Sequence, residues 1–81
     1  MIVSEFTPEK TLDAKGLKCP MPVVKTSKEI KNIAVGSILE VLTTDAGSMA
    51  DITAWTKSTG NELLKSEQEG DVFKFYIRRL R

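Results

Sequence analysis

The sequence predicts an α+β fold. It is a two-layer α/β sandwich in the order β-α-β-α-β-β, with a four-stranded mixed sheet and two helices on one face. Three observations predict it. Two segments carry apolar residues at helical spacing, and a β-branched run separates them. The last twenty residues alternate apolar and polar on both sides of a glycine turn. The chain has 81 residues, and a domain of that size buries roughly 60–65% of its unfolded surface, enough for one thin core and one sheet.

Residues 1–8 end in Pro8 and read as a flexible lead-in, which leaves 9–81 as a single domain. Residues 10–14 alternate around Leu12 and form a short strand closed by Gly16. Residues 17–22 lead into a helix whose spacing begins at Val23. It places Val23, Val24, Ser27, Ile30, Ile33 and Ala34 on the buried side and Lys25, Lys28, Glu29 and Asn32 on the other. Gly36 suits the position past its end. Residues 37–44 are nearly continuously apolar or β-branched, as in a strand covered or flanked on both sides. Asp45, Ala46, Gly47 and Ser48 form a loop with a capping residue, and Met49, Ile52, Trp55, Thr56 and Thr59 mark a second helix stopped by Gly60. Residues 62–68 and 72–78 make a hairpin about Glu69-Gly70-Asp71. Phe73, Phe75 and Ile77 share one of its faces, and Lys74, Tyr76 and Arg78 the other. The crossover rule makes the first two strands parallel if they are neighbours.

Twelve basic and eleven acidic residues give a net charge of +1, which argues against nucleic acid as the main ligand. The charges are unevenly spread. Between Glu9 and Lys31 six lysines face Glu9, Asp13 and Glu29, whereas between Glu40 and Asp71 seven acids face Lys57 and Lys65. A single cysteine excludes an internal disulfide, and the lack of histidine removes the usual zinc and general-base chemistry. No metal site is expected. No apolar run approaches the ~20 residues of a membrane span, and the first residues lack the pattern of a signal peptide. A cytoplasmic, monomeric protein is expected.

Cys19-Pro20-Met21-Pro22 carries the chemical information. Both prolines fit a first helical turn, where a missing N–H costs nothing. Cys19 then stands at or just before the helix N-cap, where the dipole and backbone donors favour a thiolate. Lys15, Lys18 and Lys25 add positive potential, and Gly16, Pro20 and Pro22 support the turn. The thiol should titrate below the ~8.5 of a free cysteine. A lone cysteine is commonly a small buried hydrophobe, but the flanking prolines and the helix start reverse those odds. An exposed thiolate still suits either peroxide sensing or sulfur transfer.

The series Leu12-Asp13-Ala14-Lys15-Gly16-Leu17-Lys18-Cys19-Pro20-Met21-Pro22-Val23, with Gly36, Asp45 and Asp51-Ile52 beyond it, resembles the TusA/SirA-like sulfur carriers from about Thr11 onward. The resemblance implies the same β-α-β-α-β-β fold. It further implies that Cys19 takes up sulfane sulfur as a persulfide, with no other cofactor. The implied donor is a cysteine desulfurase or rhodanese-like protein, and the acceptor a DsrE-like or other thiol protein. Downstream uses would include tRNA thiolation, molybdenum cofactor assembly or sulfur-oxidation traffic. Some members have a second cysteine in the second helix, where this chain has Ala54-Trp55-Thr56; without it there is no resolving thiol.

Asp51 matches a family aspartate. It either orders the loop near Cys19 or, more simply, partners the helix dipole. Trp55 suits the core rather than a stacking platform. Lys15, Lys18 and Lys25 are either a solvated face or a docking patch, and Met21 between the prolines offers an apolar contact. Two other classes of function compete with a sulfur carrier. One is a non-catalytic protein- or RNA-binding module, since the fold resembles the C-terminal domain of a bacterial translation initiation factor. The other is a one-cysteine redox sensor.

Overall fold

The computed structural model describes residues 7–18 and 20–81; Cys19 and the first six residues of the expected lead-in lie outside the described residues. Strand β1 spans Lys10–Ala14 and helix α1 Met21–Glu29, which a 3-10 turn, Ile30–Asn32, extends. Strand β2 (Ile38–Thr43), helix α2 (Ser48–Thr59) and strands β3 (Glu62–Glu69) and β4 (Val72–Arg78) follow. The sheet order is β1-β2-β4-β3. β1 and β2 are parallel, and β4 runs antiparallel to both β2 and β3. β1, β2 and β3 therefore point one way, with the return strand inserted between the last two. Both crossovers step in the same direction across the sheet, which places both helices on one face. Their packing agrees: α1 lies against β1 and α2, and α2 against β3 and β4.

The core is Ile30, Ile33, Leu39, Val41, Ile52, Phe75 and Ile77, with Leu12, Val23, Met49, Trp55, Leu63 and Phe73 packed on it. Leu39, Val41 and Thr43 of β2 are buried, while Ile38, Glu40 and Leu42 are half-buried. Of the two expectations for this run, cover or flanking on both sides, the structure bears out the second, with β1 and β4 on either side of β2. The helices cover one face only, and the apolar run reflects a central strand shaded by neighbours on both edges. The first helix is also shorter than its spacing predicts. Its α-helical part ends at Glu29, and Ile33 is already extended at φ −111°, ψ 158°. Val24 and Ala34, expected on the buried side, are exposed. The buried line is instead Pro22, Thr26, Ile30 and Ile33. Thr26 belongs in it because its hydroxyl donates to the Pro22 carbonyl at 2.7 Å, so no polar group is stranded.

The uncovered sheet face is largely polar, with Ile38, Leu42 and Val72 among its charged residues. It carries Asp13, Glu40, Glu62, Glu67 and Glu69 against Lys65, Lys74 and Arg78. Ion pairs join Lys65 to Glu67, Lys74 to Glu69 and Arg78 to Glu62. Glu40 accepts from the hydroxyls of Thr11 at 2.9 Å and Tyr76 at 3.0 Å.

Candidate functional site

β1 and β2 end at the same rim of the sheet, and each hands over to a helix that runs back across it. The N-termini of α1 and α2 therefore stand side by side above the carboxyl ends of the two parallel strands, the position where α/β units present ligand-binding loops. The N-cap of α1 is Pro20, with Met21 and Pro22 as its first helical residues, and the N-cap of α2 is Gly47. Among the described residues neither helix start is closed by a side-chain cap. Their partial positive charge is thus directed outward at the rim.

Backbone geometry fixes the two loops. Gly16 sits at φ +83°, a conformation that suits glycine. Its N–H donates to the Thr44 hydroxyl at 2.9 Å, tying the β1–α1 loop to the β2–α2 loop. The Asp13 carboxylate accepts from the Lys15 N–H at 3.0 Å, and Met21 N–H reaches the Lys18 carbonyl at 2.9 Å. Across the rim, the Asp45 carboxylate accepts from Gly47 N–H at 3.1 Å and the Asp45 carbonyl from Ser48 N–H at 3.0 Å. Asp51 lies one turn further on, exposed in the first turn of α2, where a carboxylate complements the dipole.

Lys15, Lys18 and Lys25 are all exposed on the α1 side of this rim. Beside them Met21 is 43% exposed and Val24 37%, an apolar step on the first turn of α1. Pro22 is buried and anchors that turn to the core, whereas Pro20 is exposed. Cys19 immediately precedes the N-cap in sequence and lies outside the described residues.

Three residues at this rim stand out only in the structure. The sequence pattern makes Thr44 only a strand end, yet its hydroxyl is the acceptor that holds the Gly16 N–H. Thr43 and Ser48 are fully buried, and among the described residues their hydroxyls are the buried side-chain polar atoms with no hydrogen-bond partner. Asp45 followed two residues later by Gly47 was a legible turn signal; nothing local marks the other three.

Residues 10–79 match the family described as Sulfurtransferase TusA. The chain belongs to that family. TusA relatives include the sulfur carrier protein TusA of Allochromatium vinosum, 42% identical over 88% of this chain and 93% of its own length. Bacillus subtilis YrkI is 52% identical over 88% of this chain and 95% of its own length. Bacillus subtilis YrkF is 53% identical over 84% of this chain, but the match spans only 37% of that longer protein. Among solved structures, a SirA-like protein from Desulfitobacterium hafniense superposes with a TM-score of 0.71 at 25% identity, covering 89% of this chain and 99% of its own. The two chains thus share the four-stranded mixed sheet with two helices on one face. Among the described residues no group of acidic or sulfur side chains could hold a metal ion, and no helix is long and apolar enough to cross a membrane.

Proposed function

We propose that this chain is a protein-to-protein sulfur carrier that holds sulfane sulfur as a persulfide on Cys19. Support comes from its only thiol, which lies in a Cys-Pro-x-Pro sequence directly before an uncapped helix start, in a chain of the TusA family. The Cys19 thiolate attacks the outer sulfur of a donor persulfide, the donor's thiolate leaves, and a Cys19 persulfide results. An acceptor thiolate then attacks that outer sulfur, and the Cys19 thiolate departs. Each step exchanges one S–S bond for another, so no external oxidant or reductant is consumed.

The donor is a cysteine desulfurase or rhodanese-like protein and the acceptor a DsrE-like or other thiol protein, the pairing that the family resemblance suggests. Lys15, Lys18 and Lys25 steer the encounter, and Met21 and Val24 form its apolar contact. RNA binding is disfavoured by the open sheet face, where carboxylates outnumber cations and the sole tyrosine is bonded to Glu40. The test is intact mass after incubation with a persulfidated donor. The wild type should gain one sulfur atom, and Cys19→Ser should gain none while staying folded. An unchanged wild-type mass with several competent donors would sink this reading.

A further inference from the structure

We propose that Met21 is a reversible oxidation site that regulates docking, a role that rests on the carrier reading. The chain has three methionines. Met1 lies outside the described residues, and Met49 is packed against the core. Met21 is 43% exposed and, among the described residues, belongs neither to the core nor to the side chains packed on it. A thioether at the surface meets dissolved oxidants from which a packed one is shielded.

The turn that bears Met21 is fixed, so its side chain stays at the surface when its polarity changes. Met21 N–H donates to the Lys18 carbonyl at 2.9 Å. The next residue, Pro22, is buried, and its carbonyl accepts from the Thr26 hydroxyl at 2.7 Å. Residues three apart share a helix face, so Met21 and Val24, itself 37% exposed, present one apolar step. A partner that covers this step buries a thioether in one state and a strongly polar sulfoxide in the other. The second is the costly one, because an S–O group taken out of water without a hydrogen-bond partner opposes association.

The oxidant is of the peroxide class. A lone pair on the Met21 sulfur attacks one peroxide oxygen, the O–O bond breaks as the S–O bond forms, and the proton on the transferred oxygen passes to the departing hydroxide, which leaves as water. Sulfur loses two electrons and the peroxide gains them. A dithiol reductase reverses the step, with the oxygen released as water and the dithiol left as a disulfide. Cys19 meets the same oxidants, but its first product, a sulfenic acid, is recovered by ordinary thiols, whereas the sulfoxide waits for its own reductase. The mark on Met21 therefore outlasts the one on the thiol.

The test protects Cys19 as a mixed disulfide with 2-mercaptoethanol, treats the wild type and Met21→Leu with hydrogen peroxide, and then frees the thiol with dithiothreitol. Peptide masses read oxygen uptake at each methionine. The rate of sulfur uptake from a persulfidated donor reads docking, and urea unfolding is run in parallel. Met21 should gain one oxygen atom before Met49 does. The treated wild type should take up sulfur at least about fivefold more slowly than the untreated protein, at an unchanged unfolding midpoint. Methionine sulfoxide reductase should restore the rate. Met21→Leu should have one rate before and after treatment, whatever that rate is. Three results overturn the proposal: Met49 oxidised as fast as Met21, a treated wild type with the untreated rate, or a Met21→Leu slowed to the same degree by peroxide. A lowered unfolding midpoint overturns it too, since Met21 would then act through the fold. No sulfur donor enters the oxygen mapping. An untreated wild type that takes up no sulfur overturns the carrier reading, and the regulatory role with it, by a result distinct from all of these.

Discussion

The two ends of the sheet are built on opposite plans. At the far rim every helix end is closed by the protein itself. The Arg79 guanidinium donates to the Ile33 carbonyl at 2.7 Å and approaches the Lys31 carbonyl at 3.5 Å, meeting the negative end of the first helix. Gly60 ends α2 at φ +78°, and its N–H and that of Asn61 both return to the Thr56 carbonyl. The Asn61 side chain then accepts from Leu80 N–H at 3.0 Å, which straps the last residues across the same end. At the near rim, among the described residues, neither helix start has a side-chain cap, the Thr43 and Ser48 hydroxyls have no partner, and Met21 and Val24 are exposed. The contrast shows where this fold spends its polar groups on itself and where it leaves them for something else.

If the near rim is a docking and transfer surface, its charges should govern rate and leave stability alone. Reversing Lys15, Lys18 and Lys25 to Glu should slow sulfur transfer about tenfold at low salt, mainly through association. The wild-type rate should fall as salt rises, because screening cuts the reach of surface charge to about 8 Å at physiological ionic strength. Lys18 adjoins the thiol, so the comparison belongs at a pH where both proteins are fully thiolate. A triple variant with wild-type rate and salt dependence would reduce the lysines to a solvated face and shift docking onto Met21 and Val24.

The far rim should behave in reverse. Arg79→Ala removes a charged donor from a half-buried carbonyl at a helix end, a loss of about 1–2 kcal/mol. Denaturant unfolding should show that loss while sulfur uptake per folded molecule stays at the wild-type rate. A slowed uptake would mean that the two rims are coupled and that the division drawn here is wrong.

This division was half legible in the sequence. The strands were, because period-two alternation in residues 72–78 and a β-branched run at 38–43 leave few alternatives. The end of α2 was, because Gly60 fits a left-handed cap. The prolines of the first loop marked a helix start through their own stereochemistry. What stayed hidden depends on register. Val24 looks like a core residue by composition, yet the line Pro22, Thr26, Ile30 and Ile33 claims the buried side and turns Val24 outward. Thr44 could be known as the lock on Gly16 only once β1 and β2 were aligned, 28 residues apart in sequence. Thr43 and Ser48 are small residues of ordinary type, and only burial without a partner distinguishes them.

The smallest effect concerns Tyr76, on the open sheet face away from both rims, and it decides how cleanly the near rim can be read. It is the only tyrosine in the chain. Its phenol is pushed above the ordinary 10.0, first by burial and then by its hydrogen bond to the Glu40 carboxylate, whose charge disfavours a second anion. A group that is raised on folding binds its proton more tightly in the native state. Its contribution to stability is therefore complete below the unfolded value and disappears as pH rises through the folded one. Tyrosinate absorbance should show a single midpoint above 10.0, and Glu40→Gln should bring it down by removing the second cause while leaving burial in place. The stability of the wild type should decline on the alkaline side over the same interval, and that of Tyr76→Phe should lack this component. A tyrosine midpoint at or below the ordinary value would mean that the Thr11–Glu40–Tyr76 bonding of the open face does not hold in solution. With the midpoint above 10.0, tyrosinate stays out of the range in which an activated Cys19 ionises, and thiolate absorbance then reports on the near rim alone.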